Sequence, residues 1–237
     1  KEIKQAYYST ISFVDAQVGR IINKLKQTGL DKNTIVVFTS DHGYHMGEHG
    51  HWQKQTLFNN ATKVPLIINV PGEDYTSKIS NSPVELIDIF PTLMDLTNII
   101  TPSHVVGQSL KPIIENKSSD VRKNALTRWS NGYSIMTDRF RLTKWDINGD
   151  FQYELYDHKF DEEELNNLAL DSSYSSICDS LIQTINLRIA QADMKPEGLG
   201  RQIENVKPMP RITNVTHGDI YNENGNRTFL KPINEKK

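Results

Sequence analysis

The sequence holds one cysteine, Cys178, so no disulfide can form within the chain and the redox compartment stays open. No apolar run is long enough to cross a bilayer, which excludes a spanning helix. The 27 basic and 29 acidic residues are interleaved and leave a net charge of −2. No Lys/Arg block therefore marks a nucleic-acid surface. Internal repeats and low-complexity tracts are also missing. An initiating methionine is absent too: Lys1-Glu2-Ile3-Lys4-Gln5-Ala6 reads as amphipathic helix rather than signal peptide, and the chain is expected to be a piece of a longer one.

What is present is an ordinary globular mixture, 24% charged and 37% hydrophobic over 237 residues. That length suits one large domain, or a partial domain plus a smaller one. Ile3, Tyr7, Ile11, Val14, Val18, Ile21, Ile22 and Leu25 keep helical spacing, and Gly29 after Lys24 and Lys26 supplies a stop. A β-branched run, Thr34–Ser40, reads as a buried parallel strand. A short helical patch near Gln55–Thr62 leads to a second strand, Val64–Val70. Helix, strand, loop and strand in this order imply an α/β fold with a mostly parallel sheet and flanking helices. Pro83–Asn98 is another apolar-periodic segment, with a kink or fresh start at Pro91.

From about Ser118 the texture changes. Asn124–Trp129, Tyr133–Thr137, Arg139–Trp145 and Gln152–Asp157 read as short strands separated by Asn-Gly, Thr-Asp and Asn-Gly-Asp turns. Tyr174–Ala192 follows as a helix with Ile177, Leu181, Ile185 and Ile189 on one stripe. Three segments are expected: residues 1–117 in the larger α/β part, 118–195 as a small antiparallel sheet with a helix, and 196–237 as an extended tail with a hairpin at Asn224-Gly225.

The chemistry gathers where the Thr34–Ser40 strand ends, because ligand sites of α/β sheets form at the carboxyl ends of strands. There the chain reads Asp41-His42-Gly43-Tyr44-His45-Met46-Gly47-Glu48-His49-Gly50. A carboxylate at this rim suits a hard divalent cation, or it caps the following turn. His42 suits a ligand or a hydrogen-bond donor to an anionic substrate. His45, His49 and His51 lack the i, i+4 spacing of helical zinc sites, and the glycines between them argue for a loop. Lys54 is either a solvated lysine or a cation that offsets charge on a transferring oxyanion group. Cys178 sits beside Ile177 and Leu181 and reads as a packing residue. The aromatics Trp129, Tyr133, Phe140, Trp145, Phe151, Tyr153 and Tyr156 suit the core of a small sheet.

An ordered set of segments resembles the type I sulfatases of the alkaline-phosphatase-like superfamily, nearest the iduronate-2-sulfatase branch. They include Val18-Gly19-Arg20-Ile21, Thr39-Ser40-Asp41-His42-Gly43, Gly47-Glu48-His49-Gly50, Trp52-Gln53-Lys54 and Ala61-Thr62-Lys63-Val64-Pro65. Further along come Val84-Glu85-Leu86-Ile87-Asp88-Ile89-Phe90-Pro91-Thr92, Gly107-Gln108-Ser109-Leu110, Thr137-Asp138-Arg139-Phe140-Arg141 and Glu154-Leu155-Tyr156-Asp157. The resemblance spans roughly residues 1–190. It implies that Asp41 and His42 are metal ligands, for calcium in most of the family, and that Lys54 binds the sulfate. Glu48 and His49 match positions near the substrate mouth.

The family's nucleophile is a formylglycine made from a Cys/Ser-x-Pro-x-Arg motif, and that motif does not occur in this sequence; Cys178 is followed by Asp179 and Ser180. The paired aspartates that complete the family's metal site are also lacking. The resemblance thus implies the C-terminal half of a sulfatase, inactive by itself. A missing N-terminal half and a sulfated carbohydrate would be its partners, and export (periplasmic, extracellular or lysosomal) its destination. Two alternatives stay open: a metal-dependent phosphoesterase of the same superfamily, and a non-catalytic fragment that binds sulfated glycans or a partner chain.

Overall fold

The computed structural model describes residues 1–72 and 79–194, and beyond them two short strands. The chain falls into two compact units, Lys1–Met194 and Lys195–Lys237. In the second unit, Ile220–Tyr221 pairs antiparallel with Arg227–Thr228. The turn expected at Asn224-Gly225, like most of the expected tail, lies outside the described residues.

The first unit opens with α1 (Glu2–Gln27), whose last turn carries Lys24 and Lys26 against the partial negative charge of the helix end. Gly29 then takes φ +72°, the left-handed conformation that lets the chain turn away. None of the α1 residues is buried: Ile3 is 66% exposed and Ile21 67%. β1 (Val36–Thr39) follows, then β2 (His45–Met46), β3 (Trp52–Gln53), the single-turn α2 (Asn59–Thr62) and β4 (Leu66–Asn69).

β1 and β4 pair antiparallel, from Val36 opposite Asn69 to Thr39 opposite Leu66. This differs from the parallel, fully buried pairing expected for Thr34–Ser40 and Val64–Val70. Parallel neighbours need a crossover of a dozen or more residues, usually a helix, that returns the chain to the same end. Here the intervening segment carries only the β2–β3 hairpin and one turn of helix. β1 is half-covered, with Phe38 38% exposed, and β4 leaves Ile67 60% exposed.

A 3₁₀ turn at Leu86–Asp88 runs into α3 (Ile89–Leu96), with Pro91 in the first turn, where its missing N–H leaves no helical bond unmade. Asp88 is fully buried and accepts from the backbone N–H groups of Glu85 and Gln108, both at 2.8 Å, and from Arg122. Glu85 joins the same cluster: it accepts from Arg122 at 2.9 Å and from Arg188 at 2.7 Å. α4 (Lys111–Ile114) completes this part.

β5 (Ala125–Trp129), β6 (Gly132–Met136), β7 (Phe140–Ile147) and β8 (Asp150–Asp157) form an antiparallel meander in sequence order. Ile135, Leu142 and Leu155 stand side by side across three strands, each fully buried. They meet Cys178, Leu181 and Ile185 of α5 (Ser175–Asp193). Each such side chain contributes about 1.5–3 kcal/mol by leaving water. The opposite face of the same strands is polar yet buried, with Ser134, Arg141 and Thr143 at 2% exposure or less. Of the aromatics expected in this core, Tyr133, Phe140 and Tyr153 pack against it and Tyr156 is buried on the opposite face, across from Arg141, whereas Trp129 and Phe151 lie outside, 42% and 52% exposed.

Candidate functional site

β1 delivers the chain through Ser40 into Asp41-His42-Gly43. Ser40 Oγ donates to the His42 carbonyl at 2.9 Å, and the His42 N–H donates to Asp41 Oδ1 at 3.1 Å. Asp41 therefore does cap its own turn, but with one oxygen only. Its other oxygen, Oδ2, lies 3.4 Å from His42 Nε2 on a side chain that is 82% exposed.

The imidazole of His42 is oriented from behind. Nδ1 lies 2.7 Å from the Gly43 carbonyl oxygen. A carbonyl only accepts, so this contact puts the proton on Nδ1 and leaves a lone pair on Nε2. That arrangement is the one by which a backbone carbonyl fixes a metal-ligating histidine. In this structure the lone pair accepts from Lys54 Nζ at 2.6 Å.

Lys54 reaches His42 because the β2–β3 hairpin folds the chain back, with His45 opposite Gln53 and Met46 opposite Trp52. The tight return uses left-handed backbone at Gly47 (φ +110°), His49 (φ +54°), Gly50 (φ +70°) and Gln53 (φ +78°). Inside the loop, the fully buried His45 places Nε2 2.6 Å from Thr56 Oγ1, and His49 stacks on Phe58 with ring centroids 3.8 Å apart. Burial pushes the His45 imidazole below its ordinary pKa, and the neighbouring His49 and His51 push it the same way. Glu48 is used structurally: the Met46 N–H holds its carboxyl below the usual range, and Lys4 donates to it at 3.4 Å.

The sequence-expected residues Asp41, His42 and Lys54 are thus brought together, and all three line a broad cleft of about 2120 Å³. Among the described residues, no three His, Cys, Asp or Glu side chains converge as a metal-binding group. Asp41 and His42 fit a hard divalent cation as two donors of a larger set: a free carboxylate oxygen and an unprotonated ring nitrogen on adjacent residues.

Three further residues around this cleft were not singled out as site candidates from the sequence: Arg141, His158 and Glu164. Arg141 and His158 line it, and both bond the fully buried carboxylate of Glu164, which also accepts from the Asn59 N–H at 2.7 Å. Burial pushes the Glu164 carboxyl up, but the His158 hydrogen bond and the Arg141 charge outweigh it and hold the group below its ordinary value. In sequence, Arg141 looks like an outward-facing polar residue of an alternating strand. Nothing local marks its partner 23 residues on.

The Sulfatase family model matches residues 2–99. The chain is 32% identical to an N-acetylglucosamine-6-O-sulfatase of Bacteroides thetaiotaomicron over 191 residues, 76% of this chain and 34% of the relative. Among solved structures, it resembles a protein in complex with its substrate D-glucosamine-2-N,6-O-disulfate at TM-score 0.65 and 31% identity. That match covers 79% of this chain and 40% of the other. It also resembles the phosphonate monoester hydrolase of Silicibacter pomeroyi at TM-score 0.67 and 29% identity, over 76% of this chain and 39% of the other. The family model, the relative and the solved structures thus set the likeness of this chain among the sulfatases, and its α/β fold is theirs. The chain spans about a third of the length of the curated relatives it matches.

Proposed function

We propose that this chain supplies the C-terminal share of a sulfatase that hydrolyses sulfate esters of sugars. The observation that carries this is the convergence of Asp41, His42 and Lys54, two of them 12 residues apart, inside the stretch that matches the family. In this proposal Asp41 and His42 would hold a divalent cation, calcium by resemblance, whose charge would polarise the sulfate oxygens. Lys54 then turns its ammonium to a sulfate oxygen and offsets the negative charge that grows as the ester bond breaks. The Gly43 carbonyl keeps His42 in the tautomer that presents a lone pair. A formylglycine nucleophile and the remaining metal ligands would come from an N-terminal half not contained in this sequence. The exposed apolar stripe of α1 and the half-covered β1–β4 pair support a larger surrounding domain.

Residues 1–117 would then belong to the catalytic α/β domain, 118–195 to a smaller subdomain and 196–237 to a tail. A sulfated carbohydrate is favoured as substrate by the glucosamine disulfate bound to the solved relative. Closer kinship with the iduronate-2-sulfatase branch, and export from the cell, belong to the same proposal. No helix among the described residues is long and apolar enough to cross a membrane.

A second reading has its own support: the fold likeness to a phosphonate monoester hydrolase, at TM-score 0.67, falls within the range of that to the sulfatases. One assay separates them. The protein with its N-terminal half, supplied with calcium, is expected to cleave 6-O-sulfated N-acetylglucosamine and to lose that activity on Asp41→Ala. Wild-type turnover in the Asp41→Ala protein would remove Asp41 from the site. Faster cleavage of a phosphonate monoester than of the sulfate ester would favour the second reading.

A further inference from the structure

A chain of contacts runs from the polar face of the β5–β8 sheet to His42. Glu164 stands in its middle, a non-glycine residue in left-handed backbone (φ +58°) whose carboxylate is fully buried. One oxygen takes the Arg141 Nε–H and the His158 Nε2 contact at 2.7 Å; the other takes the Asn59 N–H, the first amide of α2, at 2.7 Å. Arg141 grips the same helix directly, donating through Nη2 to Asn59 Oδ1 at 2.8 Å and to Thr62 Oγ1 at 3.1 Å. Its Nη1 is anchored on Ser134 Oγ at 3.0 Å, within the sheet.

α2 in turn holds the site. The Ala61 carbonyl accepts the Gly43 N–H at 2.8 Å, and Gly43 is the residue whose own carbonyl fixes the His42 ring. α2 is a single turn, too short to hold its position by its own hydrogen bonds. Its placement must come from outside, and the Arg141–Glu164 pair provides two bonds to its first residue and one to its last.

We propose that Glu164 and Arg141 are positioning residues for the metal-and-sulfate end of the cleft. They clamp α2 against the sheet, α2 holds Gly43 by its N–H, and the carbonyl of the same residue sets the ring and tautomer of His42 and so the place of Lys54. The proposal rests on His42 being a functional group, as set out above. It adds that the sheet on the far side of the cleft is part of the site's scaffold rather than a neighbour of it.

Amide hydrogen exchange and long-range ¹H–¹⁵N spectra of the histidine rings test this in the 237-residue chain itself. In Glu164→Gln, the Gly43 amide is expected to exchange at least about tenfold faster, with loss of the single Nδ1–H signature of His42, while the Ile135 and Leu142 amides keep their protection. Arg141→Lys should act in the same direction because one ammonium cannot span Asn59, Thr62, Ser134 and Glu164. Arg139→Lys is the control, as it disturbs an ion pair of the same sheet, with Asp157, that does not touch α2. Should Glu164→Gln fail to fold, Asn59→Ala removes only the Arg141 contact to the Asn59 side chain and is read the same way. Unchanged Gly43 and His42 signals overturn the proposal, as do changes that merely track a general loss of protection. Absence of sulfate ester cleavage by the complete protein would sink the sulfatase assignment, yet leave the exchange result standing.

Discussion

A methyl group has no room at Gly43. A Cβ built there collides with the carbonyl oxygen and carbon of Asn60, which are backbone atoms of α2 and cannot swing aside. Gly43→Ala must push α2 and the His42 loop apart, and overpacking of this kind costs about 1–3 kcal/mol. A lowered urea midpoint is expected, with loss of the ordered His42–Lys54 contact in ring ¹H–¹⁵N spectra. Lys54 makes the complementary case, because it is exposed and its removal leaves packing untouched. In the complete protein, Lys54→Ala is expected to lower kcat for sulfate ester cleavage by about 10²–10³-fold, the usual effect of losing one charge-stabilising donor. The melting temperature should stay within the error of the wild type. That Asp41 and His42 would stand together was legible because they are adjacent at the end of a readable strand, whereas only the resemblance set Lys54 beside them. Arg141 and Glu164 were not legible: each sits in a context that predicts solvent, and burial follows only from their meeting.

At the scale of elements, alternation in the β5–β8 strands placed the strands almost residue for residue, because polar turns such as Asn148-Gly149 leave no other stop. Alternation does not show that both faces are covered. Ile135, Leu142 and Leu155 face α5 as their apolar character suggests, while Ser134, Thr143 and Arg141 are equally buried on the other face, where Arg141 bonds α2 and Ser134 bonds both Arg141 and Thr143. The sense of the β1–β4 pair was illegible for a different reason: it depends on what the residues between them fold into, and they form a hairpin and one helical turn rather than a crossover helix. The stripe along α1 has the spacing of a buried face but stays in solvent here, so periodicity shows that a face wants cover and not what covers it. The core itself gives a direct test. Leu142→Ala removes the central side chain of the buried row and is expected to destabilise the sheet by about 2–5 kcal/mol in urea unfolding followed by tryptophan fluorescence. A change under about 1 kcal/mol would mean that the sheet and α5 do not form one core.

At the scale of the whole molecule, the buried ionisable groups set how the chain meets acid. His45 has its pKa lowered by burial and by His49 and His51, so the folded state resists a proton that the unfolded chain accepts. Above the unfolded value of about 6.5 both states are neutral and the group is silent; below it the unfolded state is favoured until the folded imidazole titrates. Asp157 works on the carboxyl side. The Arg139 hydrogen bond depresses its pKa, so its contribution is present above the unfolded value of about 4 and is lost as pH falls through the folded one. Glu164, also depressed, loses its contribution in the same window. Stability is therefore expected to fall in two steps, a shallow one beginning below about pH 6.5 and a steeper one below about pH 4. Urea midpoints measured from pH 8 to pH 3 should show both. His45→Gln, which keeps an acceptor for Thr56 but cannot titrate, should erase the first step and spare the second, and Arg139→Met should flatten the second alone. If the first step survives His45→Gln unchanged, the acid response of this fold belongs to groups other than its buried histidine.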